Sequence, residues 1–139
     1  MLRILIPVDG SENSLRAVKF VIKLAALFKE PLELHLLNVQ PSFPGTIRGV
    51  HQQARQEHHD EGLKALAATR KAFDDAGVKY MHHIGIGGAP EIIARYVEDK
   101  NIEQVVMGTR GLSAITGMLL GSVAAKVLHL VNVPVLLVP

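Results

Sequence analysis

Two stretches of this chain carry residue types suited to holding a polyphosphate. Gly108-Thr109-Arg110-Gly111 follows an apolar run, and Gly121-Ser122 comes after nine intervening residues. Glycines let the backbone approach anionic oxygens and offer its N–H groups. A helix opening at Gly121-Ser122 adds unpaired amides and a dipole that favours negative charge. The Ser122 hydroxyl supplies one more donor, and Arg110 a permanent guanidinium fork. A second stretch, Pro7-Val8-Asp9-Gly10-Ser11, brings the carboxylate of Asp9, which can accept from a ribose hydroxyl or sit near a magnesium ion. Structural roles stand beside these. Asp9 and Ser11 also suit a strand-to-helix turn and cap, the glycines a tight turn, and Arg110 a solvated loop.

Other signals lead elsewhere. Gly85-Ile86-Gly87-Gly88-Ala89-Pro90 begins like a dinucleotide fingerprint, but Pro90 takes the third glycine's place. No Gly-x-x-x-x-Gly-Lys-Ser/Thr occurs, which excludes a P-loop. His51, His58 and His59 fall on a polar helix and read as a solvated face. His82 and His83, adjacent on a strand, point to opposite faces. Their spacing does not suit a metal site. Ser113 and Thr116 lie within the glycine-bounded loop without a histidine or carboxylate near in sequence, and His129 is several turns along the next helix. No nucleophile–base pair emerges.

The elements that must position these residues alternate. Leu2 to Val8 reads as a buried strand closed by Asp9-Gly10-Ser11, with Ser11 as the cap of a helix whose stripe is Leu15, Val18, Ile22 and Ala25, with Val21 and Phe28 alongside. Leu32 to Val39 is a second strand, and Pro41 to Gly49 a loop. A helix from about Val50 to Ala76 has a very polar first half and a core stripe of Leu63, Leu66, Ala67 and Phe73. Val78 to Ile86 is strand three. Pro90 starts a helix buried through Ile92, Ile93, Tyr96 and Val97. Ile102 to Gly108 and Val133 to Val138 are strands four and five, with a helix from Gly121-Ser122 between them. This order predicts a doubly wound, five-stranded parallel sheet flanked by four helices, Rossmann-like, as one domain over residues 1–139. Ligands of such sheets bind where strand order reverses, and strands one and four are expected to be neighbours there.

Composition agrees with that class. The chain has 139 residues, of which 48% are hydrophobic and only 4% aromatic. Aliphatic runs suit strands buried on both faces. With no cysteine, neither disulfides nor zinc–thiolate sites exist, and a reducing, cytoplasmic compartment is expected. The apolar opening is too short for a signal-peptide core, and no run reaches the ~18 residues of a membrane span. A net charge of +2 from scattered basic residues argues against nucleic acid as a partner.

Taken together, several segments resemble the ATP-binding branch of the universal stress protein family. They are Ile4-Leu5-Ile6-Pro7-Val8-Asp9-Gly10-Ser11, Gly88-Ala89-Pro90, Val105 to Gly111, Gly121-Ser122-Val123 and Val133 to Val138, with the Gly108, Gly111 and Gly121-Ser122 spacing. The resemblance implies a five-stranded parallel α/β sandwich of the adenine nucleotide alpha hydrolase-like type. It implies that Pro7, Val8, Asp9 and Val39 surround adenine and ribose. Met107, Gly108, Arg110, Gly111, Gly121, Ser122 and Val123 would line ribose and phosphates. The implied ligand is ATP, with AMP or ADP as alternatives, accompanied by magnesium or manganese through the phosphates. A homodimer through the last strand and a regulatory protein partner are further expectations. The function expected is nucleotide-dependent regulation in a stress response. The alternatives are a slow ATPase or self-phosphorylating enzyme using Ser113, Thr116 or Ser122, and a dimerisation or chaperone-like module without nucleotide.

Overall fold

The computed structural model describes residues 1–42, 48–111 and 120–139, with the backbone alone for residues 48–52. Among the described residues, five strands and four helices alternate: β1 (Arg3–Pro7), α1 (Glu12–Leu27), β2 (Glu33–Gln40), α2 (Arg48–Asp75), β3 (Met81–Ile86), α3 (Ala89–Asp99), β4 (Gln104–Gly108), α4 (Ser122–Leu130) and β5 (Val135–Val138). All strand pairs are parallel, in the order β3-β2-β1-β4-β5. The chain winds outward from β1 through β2 to β3, then crosses back to lay β4 against the other side of β1. The reversal therefore falls between β1 and β4, as the sequence predicts.

Side chains alternate across each strand, so the central strands feed two cores. Ile4, Ile6, Leu34, Leu36 and Val106 pack on one face with Val18 and Val21 of α1 and Leu66 and Phe73 of α2. Leu5, Leu37, Val105 and Met107 pack on the other with Ile93 and Val97 of α3 and Ala124 and Val127 of α4. Burial on both faces explains the aliphatic runs Ile4-Leu5-Ile6 of β1 and Val105-Val106-Met107 of β4.

Several boundaries differ from the sequence reading for local reasons. β3 starts at Met81 because Val78 still closes α2, donating its N–H to the Phe73 carbonyl at 3.0 Å. Likewise Ile102 closes α3 by donating to Val97 at 2.9 Å, so β4 starts at Gln104. Pro134 has no N–H for the ladder, and β5 begins after it. Gly49 lies inside α2 rather than in a loop. Phe28 is the exposed C-cap of α1.

Two helix faces also turn differently. α1 buries Asn13, Ser14, Ala17, Val18 and Val21, leaving Leu15, Ile22 and Ala25 half-buried at the flank. The polar half of α2 does not wholly project into solvent. His58 and Gly62 are buried and extend the stripe of Leu66, Thr69 and Phe73, whereas Ala67 is exposed. The spacing of four, four, three and four keeps one helical face.

Candidate functional site

The turn after β1 is built by two local hydrogen bonds. The Asp9 Oδ1 accepts from the Ser11 N–H at 2.9 Å, and the Ser11 Oγ accepts from the Ser14 N–H at 3.2 Å. The first bond sets the turn, and the second caps α1. α3 and α4 start differently. Their N-caps are Gly88 and Gly121, neither of which offers a side chain to the first-turn amides. Both helix starts open on one cavity, through Ala89 and through Gly121 to Ala124.

That cavity, of about 180 Å³, sits at the carboxyl ends of β1, β2 and β4. Pro7, Val8, Asp9 and Val39 line it on one side. Met107, Gly108, Arg110, Gly111, Gly121, Ser122 and Val123 line it on the other. The fold thus brings all eleven residues singled out in the sequence to one crevice. Its wall also includes Ser14, Leu37, Asn38, Ala89, Ile93, Thr109 and Ala124, which local spacing did not reveal. Asn38 is the most informative of these. It is buried, its Nδ2 donates to the Val8 carbonyl at 2.8 Å, and its Oδ1 accepts from the Gln40 side chain at 2.7 Å. Val8 further donates its N–H to Leu37 at 2.8 Å. With its N–H engaged inside the sheet, Val8 offers a ligand mainly an apolar wall. A polar residue directly after the apolar pair Leu36-Leu37 was the signal available for Asn38.

The glycines have a sharper reason than permissive backbone. A Cβ at residue 108 would run into Oδ1 of Asn13, and one at 111 into Oδ2 of Asp9. At 121 a Cβ would crowd the Thr109 carbonyl at 3.2 Å and Arg110 Cα at 3.3 Å. At 108 and 111 the backbone after β4 lies so close to Asn13 and Asp9 that a Cβ would meet their side chains. Gly121 also donates its N–H to the Thr109 carbonyl at 2.6 Å, pinning the start of α4 to the end of β4. The helix amides after Gly121 then face a crevice whose floor is apolar and whose rim carries Asp9, Arg110 and Ser122. Arg110 and Ser122 are exposed. The arrangement can receive a flat apolar group between Val8, Val39 and Met107 and an anion at the α4 end.

Ser113 and Thr116 lie outside the described residues, as does the side chain of His51. Among the described residues, no group of three or more His, Cys, Asp or Glu gathers as a metal site. The described histidines divide. His82, His59 and His129 are exposed, while His58 is buried. His83 is half-buried and meets buried His35, ring nitrogen to ring nitrogen, at 2.9 Å. The other His35 nitrogen faces the Glu33 carboxylate at 2.9 Å, which holds that carboxyl below its usual range. Burial pushes His83 down to about 4, with repulsion from His35, Lys100 and His82 adding to it. This chain lies on the α3 face of β2 and β3, apart from the cavity wall.

No helix among the described residues is long and apolar enough to cross a membrane. The family model of the Universal stress protein family matches residues 1–139. Universal stress protein MJ0531 of Methanocaldococcus jannaschii is 34% identical over 138 residues, which are 98% of this chain and 81% of that protein. The solved structure of MJ0577, also of Methanocaldococcus jannaschii, superposes with a TM-score of 0.83 at 28% identity, covering 99% of this chain and 94% of the other. A universal stress protein family structure from Arabidopsis thaliana with AMP bound shares the fold, with a TM-score of 0.71 at 20% identity and coverage of 99% and 91%. The parallel sheet, the β1–β4 crevice and these matches agree: the chain belongs to the universal stress protein family.

Proposed function

We propose that this chain is an adenine-nucleotide-binding regulatory domain, with ATP as ligand and magnesium or manganese carried through its phosphates. The observation that carries the reading is the meeting, at one apolar crevice, of the Pro7–Asp9 turn with Gly108 to Gly111 and the start of α4, which has no side-chain cap. An apolar slot beside an anion site fits a purine joined to phosphates, and the Asp9 carboxylate at the rim suits a ribose hydroxyl. The AMP-bound relative supports adenine over other bases. In this reading, occupancy changes contacts to a protein partner in a stress response. The domain acts in the cytoplasm as a dimer paired through β5, an edge strand whose four residues are all only partly buried.

Calorimetric titration of the full chain with ATP and magnesium tests the proposal. Saturable binding at micromolar to millimolar ligand is expected, with ADP and AMP compared alongside. No heat from a well-folded sample at millimolar ATP overturns it.

A further inference from the structure

Asn13 lies in the first turn of α1, on the stripe with Ala17 and Val21 that faces the sheet, and is only 6% exposed. Its amide is satisfied by two partners far away in sequence. Oδ1 accepts the Arg110 N–H at 2.7 Å, and Nδ2 donates to the Val138 carbonyl at 3.0 Å. The same Val138 carbonyl accepts the Thr109 N–H at 3.0 Å. Thr109 in turn accepts from Gly121, the N-cap of α4. One side chain therefore joins α1, the loop after β4 and the end of β5, and the bond from Gly121 carries that joint to the start of α4.

The residue type is demanding. The position needs a donor and an acceptor on one short planar group. Aspartate lacks the donor, leucine lacks both, and glutamine sets the amide one methylene too far out. Gly108 completes the fit, since a Cβ there would occupy the place of the Asn13 oxygen. Asn13 stands behind the cavity wall, so its effect reaches a ligand through the backbone of Arg110 and Thr109.

We propose that Asn13 is a positioning residue for the phosphate end of the site. It holds the Arg110 amide and the first residues of the loop in place before ligand arrives, and it ties them to the carboxyl end of β5. Backbone at Thr109 and Arg110 that is fixed in advance spares an ordering cost on binding. The inference rests on the nucleotide reading above, and it makes the loss on removing Asn13 specific to the phosphates.

The test uses the full chain as wild type, Asn13→Ala and Asn13→Asp. Amide hydrogen exchange is followed by NMR, and affinities for ATP and adenosine by calorimetry. The Arg110 amide is expected to be protected in wild type, to exchange at least about tenfold faster in Asn13→Ala, and to stay protected in Asn13→Asp, which keeps the acceptor. ATP affinity should fall about tenfold in Asn13→Ala while adenosine affinity changes less than about twofold, the scale of one lost hydrogen bond that holds the Arg110 amide. An unprotected Arg110 amide in wild type, unchanged exchange in Asn13→Ala, or equal losses for ATP and adenosine overturns the proposal. If Asn13→Ala does not fold, Asn13→Ser decides, because its shorter side chain cannot reach both partners: Arg110 exchange faster by about tenfold supports the role, and unchanged protection contradicts it. Should wild type bind neither ligand, the nucleotide reading fails, while the exchange result still decides whether Asn13 holds the loop.

Discussion

The carboxylate of Asp9 occupies the space that a side chain at residue 111 would need, so Asp9 and Gly111 bring the ends of β1 and β4 into contact across the reversal of the sheet. Asp9 is simultaneously held by the Ser11 N–H. A Cβ at 111 would meet Oδ2 of Asp9, so the carboxylate would have to turn away from its present place.

Gly111→Ala therefore should displace Asp9 and spoil the rim of the crevice. The expected result is a loss of ATP affinity of at least about tenfold, with a stability loss of about 1–3 kcal/mol from overpacking. Calorimetry and chemical denaturation read the two effects separately. Full affinity in the variant contradicts the role of this contact.

Ser122→Ala should have a smaller effect. Ser122 is exposed at the start of α4 and offers one neutral hydroxyl, so about 1 kcal/mol of binding, roughly fivefold in Kd, is expected. Gly121→Asp should abolish binding through charge, but it also crowds Thr109 and Arg110. Its melting temperature must be measured beside its affinity.

Ser11→Ala removes the cap that receives the Ser14 amide. Stability should fall by about 1 kcal/mol, which a denaturant titration can detect. A loss below about 0.3 kcal/mol would show that solvent or Asp9 takes over the cap.

The His83 pair predicts a pH effect of definite sign. His83 is held neutral down to about 4 by burial, while an unfolded histidine protonates near 6.5. Between those values the unfolded chain binds more protons, so this contribution is complete above pH 6.5 and is lost as pH falls through about 4. His35 of β2, itself bonded to Glu33, and Tyr96 of α3 touch it, and Lys100 at the end of α3 and His82 from its own strand add charge repulsion. His83→Gln should flatten the rise in stability between pH 4 and 6.5 relative to wild type. An identical slope in both proteins refutes the assignment.

Much of this was legible in the chain itself, and the exceptions share a cause. Apolar strands such as Ile4-Leu5-Ile6 and the helix start at Gly121-Ser122 are local patterns, and they place β1, β4 and the crevice correctly. Asn13 is different. Its meaning depends on Arg110, 97 residues away, and on Val138, 125 residues away, and no local period carries that information. The same holds for Gly108 and Gly111. Their presence suggested room for an anion, but the structure shows that the room next to them is filled by Asn13 and Asp9. His58 was hidden by its polar neighbours, because burial on α2 follows packing against the sheet more than the polarity of the local window.

The central claim is that an adenine nucleotide occupies the crevice between the ends of β1 and β4. NMR titration of the full chain with ATP and magnesium, followed at every backbone amide, tests it most directly. The account predicts saturable shifts concentrated at Asp9, Val39, Gly108 to Gly111 and Gly121 to Val123. Shifts confined to other surfaces, or none at millimolar ATP, would contradict it.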